Sequence, residues 1–116
     1  MSQRSEQVAE ELRKIISMIL IQEINDPRIG FITITRIEMT PDLRFARVFY
    51  SVLGDDEKRN STLEALNDNM RLIKRLAIQR INMKYAVEIK FEQDKSIEHN
   101  FRVDELLKKI KKQDEK

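Results

Sequence analysis

Between Asp68 and Glu88 the sequence has no acidic residue, yet it carries Arg71, Lys74, Arg75, Arg80 and Lys84. Helical spacing places Arg71, Lys74 and Arg75 on one face, away from the apolar positions Met70, Ile73 and Ala77. Cations grouped without interleaved carboxylates are what a phosphate backbone requires, and binding through them weakens as salt rises. Arg80 and Lys84 fall near the end of the same segment, where the helix dipole favours positive charge on its own account. The pattern therefore admits two readings, a nucleic-acid surface or an ordinary solvated helix face. The missing acids, a break in the helical pattern just upstream and a neighbouring strand hairpin tilt the balance toward the first. Arg28, in a turn, and Arg47, in a strand, are secondary candidates; either could reach a phosphate or sit on a solvated surface.

Other chemistry has little to work with. The chain has no cysteine, which excludes disulfides, thiolate metal sites and cysteine nucleophiles. His99 is the one histidine and lies in a loop segment, where a solvated role is the ordinary one. Gly30 and Gly54 are the only glycines, so no phosphate-binding glycine loop exists. Asp55, Asp56 and Glu57 read as a turn leading into a helix N-terminus, where acids are favoured, rather than as a metal site. Lys108, Lys109, Lys111 and Lys112 alternate with acids and read as a solvated helix end. No catalytic residue, metal site or cofactor is expected, and a processing enzyme is the least supported class.

These residues need elements to hold them. With 116 residues, 41% hydrophobic and 36% charged, net charge +2, the chain suits one domain with a real core. No apolar run has the length of a membrane span and no secretory signal opens the sequence, so a cytoplasmic protein is expected. Val8, Leu12, Ile15, Ile16 and Ile19 repeat as a helical stripe over about residues 4–24, with Ser2 or Ser5 as candidate cap. Asn25-Asp26-Pro27 ends it, because the residue before proline resists helical backbone angles. Phe31 to Met39 and Arg44 to Leu53 are rich in strand-forming residues and flank the turn Thr40-Pro41-Asp42, predicting an antiparallel hairpin. Helical spacing resumes near Asp56, is interrupted at Asn67-Asp68-Asn69, and continues to about Asn82. Ala86 to Phe91 alternates as a third strand. Val103 to Ile110 is spaced as a short helix, ahead of a charged tail expected to be mobile. The order predicts an α+β domain, α-β-β-α-α-β, with helices on one face of a three-stranded sheet. Residues 1–107 form the domain and 108–116 the tail.

In two stretches the sequence resembles the ribosome-binding factor A family. One holds Asp26-Pro27-Arg28-Ile29-Gly30, then Thr33 and Thr35, Thr40-Pro41-Asp42-Leu43 and Ala46-Arg47-Val48-Phe49. The other holds Phe91 and Asp94-Lys95-Ser96. The resemblance spans about residues 4–107. It implies a KH-like domain of the second type, and a monomeric factor that binds the free small ribosomal subunit. Such factors act late in 16S rRNA maturation, often in connection with growth in the cold, and do not cut RNA. The family's usual Ala-x-Gly kink between the central helices is matched here by Asn69, Met70 and Arg71. The glycine is absent, so the kink is expected to be shallower or built from asparagine. The RNA-binding site expected from the charge pattern is Arg71, Lys74, Arg75, Arg80 and Lys84, with Arg28 and Arg47 secondary. The competing class is a protein–protein adaptor whose basic helix docks an acidic partner.

Overall fold

In the computed structural model, which describes residues 3–83 and 86–95, the order of elements is the expected one. Helix α1 spans Gln3–Gln22, strand β1 Ile32–Met39 and strand β2 Phe45–Val52. Helices α2, Asp56–Asp68, and α3, Met70–Ile81, then cross to strand β3, Glu88–Gln93. The sheet order is β1-β2-β3; β1 and β2 are antiparallel, and β2 and β3 parallel. A parallel partner cannot be reached by a tight turn, so α2 and α3 supply the crossover. The expected third strand began at Ala86; the ladder begins at Glu88, although Val87 is already buried. The short helix expected around residues 103–110, the tail, His99 and Lys84 lie outside the described residues.

The core lies between the helices and one face of the sheet. Ile16 and Ile19 of α1, Val48 and Tyr50 of β2, Leu66 of α2, and Ile73 and Ala77 of α3 are all fully buried. Burying such side chains contributes roughly 1.5–3 kcal/mol each, which is what holds α3 on the domain. Ser5 proves to be inside α1 and buried rather than a cap. At the other end of the core, Asn82 takes a left-handed conformation (φ 55°) and ends α3, its N–H bonding the Ile78 carbonyl.

Strand β1 explains its own irregular alternation. Ile34 is buried, and so are Ile37 and Met39, although the two sets differ in parity. One extra residue must be absorbed, and the register shifts at Thr35. The displaced Thr35 hydroxyl donates to the Asp94 carboxylate at 2.6 Å. Asp94, just beyond β3 and only 4% exposed, also bonds the Tyr50 carbonyl through its N–H at 2.7 Å. The bulge and the end of β3 are thereby tied together across β2.

The hairpin turn has its own lock. Asp42 accepts from the Thr40 hydroxyl (2.6 Å) and the Arg44 N–H (3.2 Å), while Leu43 adopts a positive φ of 62°. These two donors, the hydroxyl first, hold the Asp42 carboxyl below the usual carboxylate range.

Gly54 closes β2 at φ +146°, a conformation that L side chains rarely adopt. The aliphatic stem of Lys58 occupies the place of its missing Cβ, as a Cβ there would come within 2.8 Å of it. Next in the chain, Asp55 caps α2 by accepting the Lys58 N–H at 2.9 Å, and Asp56 pairs with Arg59. That is the turn-and-cap role expected of the acidic run.

Candidate nucleic-acid interface

Helix α3 is an amphipathic helix whose buried side fixes where its cations point. Ile73 and Ala77 face the core, so Arg71 and Arg75, spaced by four residues, stand together in solvent. Neither forms an ion pair among the described residues. Lys74 sits at the boundary with the sheet, half-buried, its ammonium 2.8 Å from Glu88 at the start of β3. Arg80, in the last turn, reaches the end of α1 and pairs with Glu23 at 2.7 Å. The structure thus divides the basic segment. Arg71 and Arg75 are available, while Lys74 and Arg80 each spend a bond inside the protein.

Arg28 is spent more heavily. Its guanidinium grips Asp26 through Nε (3.1 Å) and Nη2 (2.7 Å), and reaches Asp68 at the end of α2 through Nη1 (2.9 Å). The Thr62 hydroxyl donates to the Arg28 carbonyl at 3.2 Å. Arg28 bonds, from side chain and then backbone, hold the Asp26 carboxyl far below its ordinary range, with a smaller contribution from Asn69. The Arg28 guanidinium is held correspondingly more firmly charged.

The kink is narrower than the three positions matched to the family. Only Asn69, at φ −97° and ψ 6°, leaves the helical path; Met70 and Arg71 already belong to α3. The backbone ladder runs through it, from the Asn69 N–H to the Ala65 carbonyl and from the Ile73 N–H to the Asn69 carbonyl, both 3.0 Å. The Asn69 amide donates to Ala65 (2.8 Å) and to Asp26 (3.0 Å). Asparagine therefore makes the break without glycine, by tying its side chain to the turn after α1.

A second arginine-bearing surface lies on the sheet face turned away from α1 and α3. Arg47 pairs with Glu92 at 2.7 Å and Glu38 at 3.3 Å; Arg36 pairs with Glu38. Both guanidinium groups lie over Phe49, at 3.8 Å for Arg36 and 5.0 Å for Arg47. Phe49 is only 7% exposed, although its position faces away from the core, because these groups cover it. Arg36 and the Asp94–Thr35 link escaped the sequence reading. The signal for both was the change of parity inside Ile32–Met39, which demands a bulge and so turns two neighbouring side chains in unexpected directions.

The mixed three-stranded sheet and the α-β-β-α-α-β order define a KH-like domain of the second type, with a cationic helix beside the corner of its central helices. A family model described as Ribosome-binding factor A matches residues 4–107, and the chain belongs to that family. A ribosome-binding factor A from Halothermothrix orenii is 45% identical over 113 residues, covering 97% of this chain and 93% of the relative. Another, from Geobacter sulfurreducens, is 43% identical over 110 residues, covering 95% and 93%.

Solved structures agree in fold. A solution NMR structure from Thermotoga maritima, described as a putative ribosome binding factor A, superposes with TM-score 0.70 at 31% identity, covering 79% of this chain and 88% of that one. The Thermus thermophilus factor matches at 19% identity both as a crystal structure, with TM-score 0.67, and as a homology model fitted into a cryo-EM map of a 30S complex, with TM-score 0.63. The first covers 77% of this chain and 94% of its own, the second 76% and 92%.

Proposed function

We propose that this chain binds the small ribosomal subunit while its 16S rRNA is maturing, and acts by binding rather than by catalysis. Family membership gives the reading its class, and the Thermus relative fitted into a 30S complex gives it a target. The observation that supports a specific surface is the exposed pair Arg71 and Arg75 on α3, with no ion pair among the described residues. In this reading those two guanidiniums contact rRNA phosphates, Lys74 and Arg80 extend the field around them, and Lys84, further along the sequence, is a further candidate. Arg28 and Arg47 serve the protein's own architecture first. Base specificity is low, since no aromatic side chain lies between Asn69 and Lys84. The factor favours one rRNA arrangement by binding it more tightly than the other, and leaves when the mature site forms. It works as a monomer in the cytoplasm, where subunits are assembled.

Co-sedimentation of the purified chain with small subunits, large subunits and joined ribosomes tests this, with a nuclease-treated control. Association with small subunits alone, abolished with the RNA, is the expected result. Association that survives nuclease would replace this reading with that of a protein-docking adaptor. No association at low salt would end it.

A further inference from the structure

Helix α3 can present Arg71 and Arg75 to a rigid rRNA surface only if its starting direction is fixed. Ile73 and Ala77 hold the inner side of α3 on the core, and the chain enters the helix through Asn69, the single residue between α2 and α3. An asparagine at the start of a helix ordinarily caps it, its side-chain oxygen accepting an N–H of the first turn. Asn69 makes no such bond to α3. Its amide is used sideways, donating to Asp26 at 3.0 Å and to Ala65 at 2.8 Å. Asp26 in turn accepts from the Arg28 N–H (3.0 Å), Nε (3.1 Å) and Nη2 (2.7 Å). Arg28 then reaches back to Asp68, the last residue of α2, at 2.9 Å. The last residue of α2 and the corner residue itself are therefore bound to one turn, Asp68 through Arg28 and Asn69 through Asp26.

We propose that Asn69 and Asp26 are positioning residues for subunit binding, and that their hydrogen bond sets the direction in which α3 carries Arg71 and Arg75. This rests on the reading that α3 meets the subunit. Geometry gives the scale. Arg75 lies six residues beyond Asn69, about 9 Å along the helix at 1.5 Å per residue. A swing of about 10° at the corner then moves it by roughly 1.5 Å, enough to break a charge-assisted hydrogen bond, whose length varies by only a few tenths of an ångström. The same network has a second effect. Asp26 and Asp68 are the carboxylates closest in sequence or by hydrogen bond to the start of α3, and Arg28 covers both. A phosphate approaching Arg71 meets paired carboxylates instead of bare ones.

Double-mutant analysis of small-subunit binding by the full chain tests this, with melting temperature followed in parallel. Asn69→Ala removes both amide bonds but gains helix propensity, so the melting temperature changes modestly while affinity falls by about fivefold or more. Asp26→Asn retains an acceptor for the Asn69 amide and keeps more affinity than Asp26→Ala. In an Arg71→Ala/Arg75→Ala background the Asn69→Ala effect shrinks to less than about twofold, because there is nothing left to aim. Two outcomes overturn the proposal with α3 still at the interface: Asn69→Ala binding as tightly as wild type, or its loss persisting in full without Arg71 and Arg75. If Arg71→Ala/Arg75→Ala by itself leaves binding unchanged, the interface assigned to α3 is wrong, and the positioning role fails with it.

Discussion

Two surfaces of this domain carry arginine pairs, and they differ in what surrounds them. On α3, Arg71 and Arg75 point into solvent over a helix whose nearest acids in sequence, Asp68 and Glu88, are already engaged by Arg28 and Lys74. On the outer sheet face, Arg36 and Arg47 lie over Phe49 and are bonded to Glu38 and Glu92. Arg47 in turn holds the Glu92 carboxyl below its usual range. Counting cations would rate the two alike. Their availability differs because a β-ladder places partners from three strands side by side, whereas a helix face opposes nothing across it. Charge pattern along the chain anticipates the exposure of Arg71 and Arg75 but not the ion pairs of Lys74, Arg80, Arg36 and Arg47.

Experiments can break or sharpen that contrast. Reversing both free cations, Arg71→Glu with Arg75→Glu, should lower small-subunit affinity by about 100-fold with little change in melting temperature, since phosphate contacts dominate such binding. Binding assays paired with thermal melts read both. The sheet surface should answer in the opposite currency. Asp94→Ala leaves the Thr35 hydroxyl only the more distant Phe49 carbonyl, at 3.2 Å, and should cost about 0.5–1.5 kcal/mol of stability, measured by denaturant unfolding, while the folded variant still binds.

Releasing a spent cation is subtler. Glu88→Gln frees Lys74 and should tighten binding by about threefold, steepening the salt dependence by about one contact. Arg47→Gln should alter binding by less than about twofold; a large loss would place RNA on the sheet and erase the contrast. The smallest effect concerns Tyr50, whose buried hydroxyl has no hydrogen-bond partner among the described residues. Burial pushes its phenol from 10.0 up to about 12, so stability should decline as pH rises from about 10 toward about 12. Tyr50→Phe should melt at the same temperature or slightly higher and lack that alkaline decline.

The fold was largely legible because its elements announce themselves through period and punctuation. Asn25-Asp26-Pro27 stops α1, Thr40-Pro41-Asp42 turns the hairpin, and Ile73 and Ala77 mark the inner side of α3. What stayed hidden depends on contacts between distant residues. Nothing local in Arg28 reveals Asp68, forty positions later, as its partner. Likewise Glu23 and Arg80 meet only because α1 and α3 end at the same side of the domain. One feature of β1 was hidden for a different reason. Ile34 and Ile37 cannot share a face in a regular strand, so burying both requires the bulge at Thr35, and the odd spacing of the two isoleucines encodes it.

Strand β3 is the last described element, yet it sits directly beside β2. During synthesis Val52 leaves the ribosome roughly 36 residues ahead of Glu88, a wait of about 2–7 s at ordinary elongation rates. Throughout that interval one edge of β2 has no partner, Thr35 has no carboxylate to bond, and Ala46 and Val48 lack Ile89 and Phe91 alongside. The nascent chain thus passes through a stage with an open sheet edge, able to pair with other extended segments nearby. The sheet closes only when β3 emerges, after both helices of the crossover have been made.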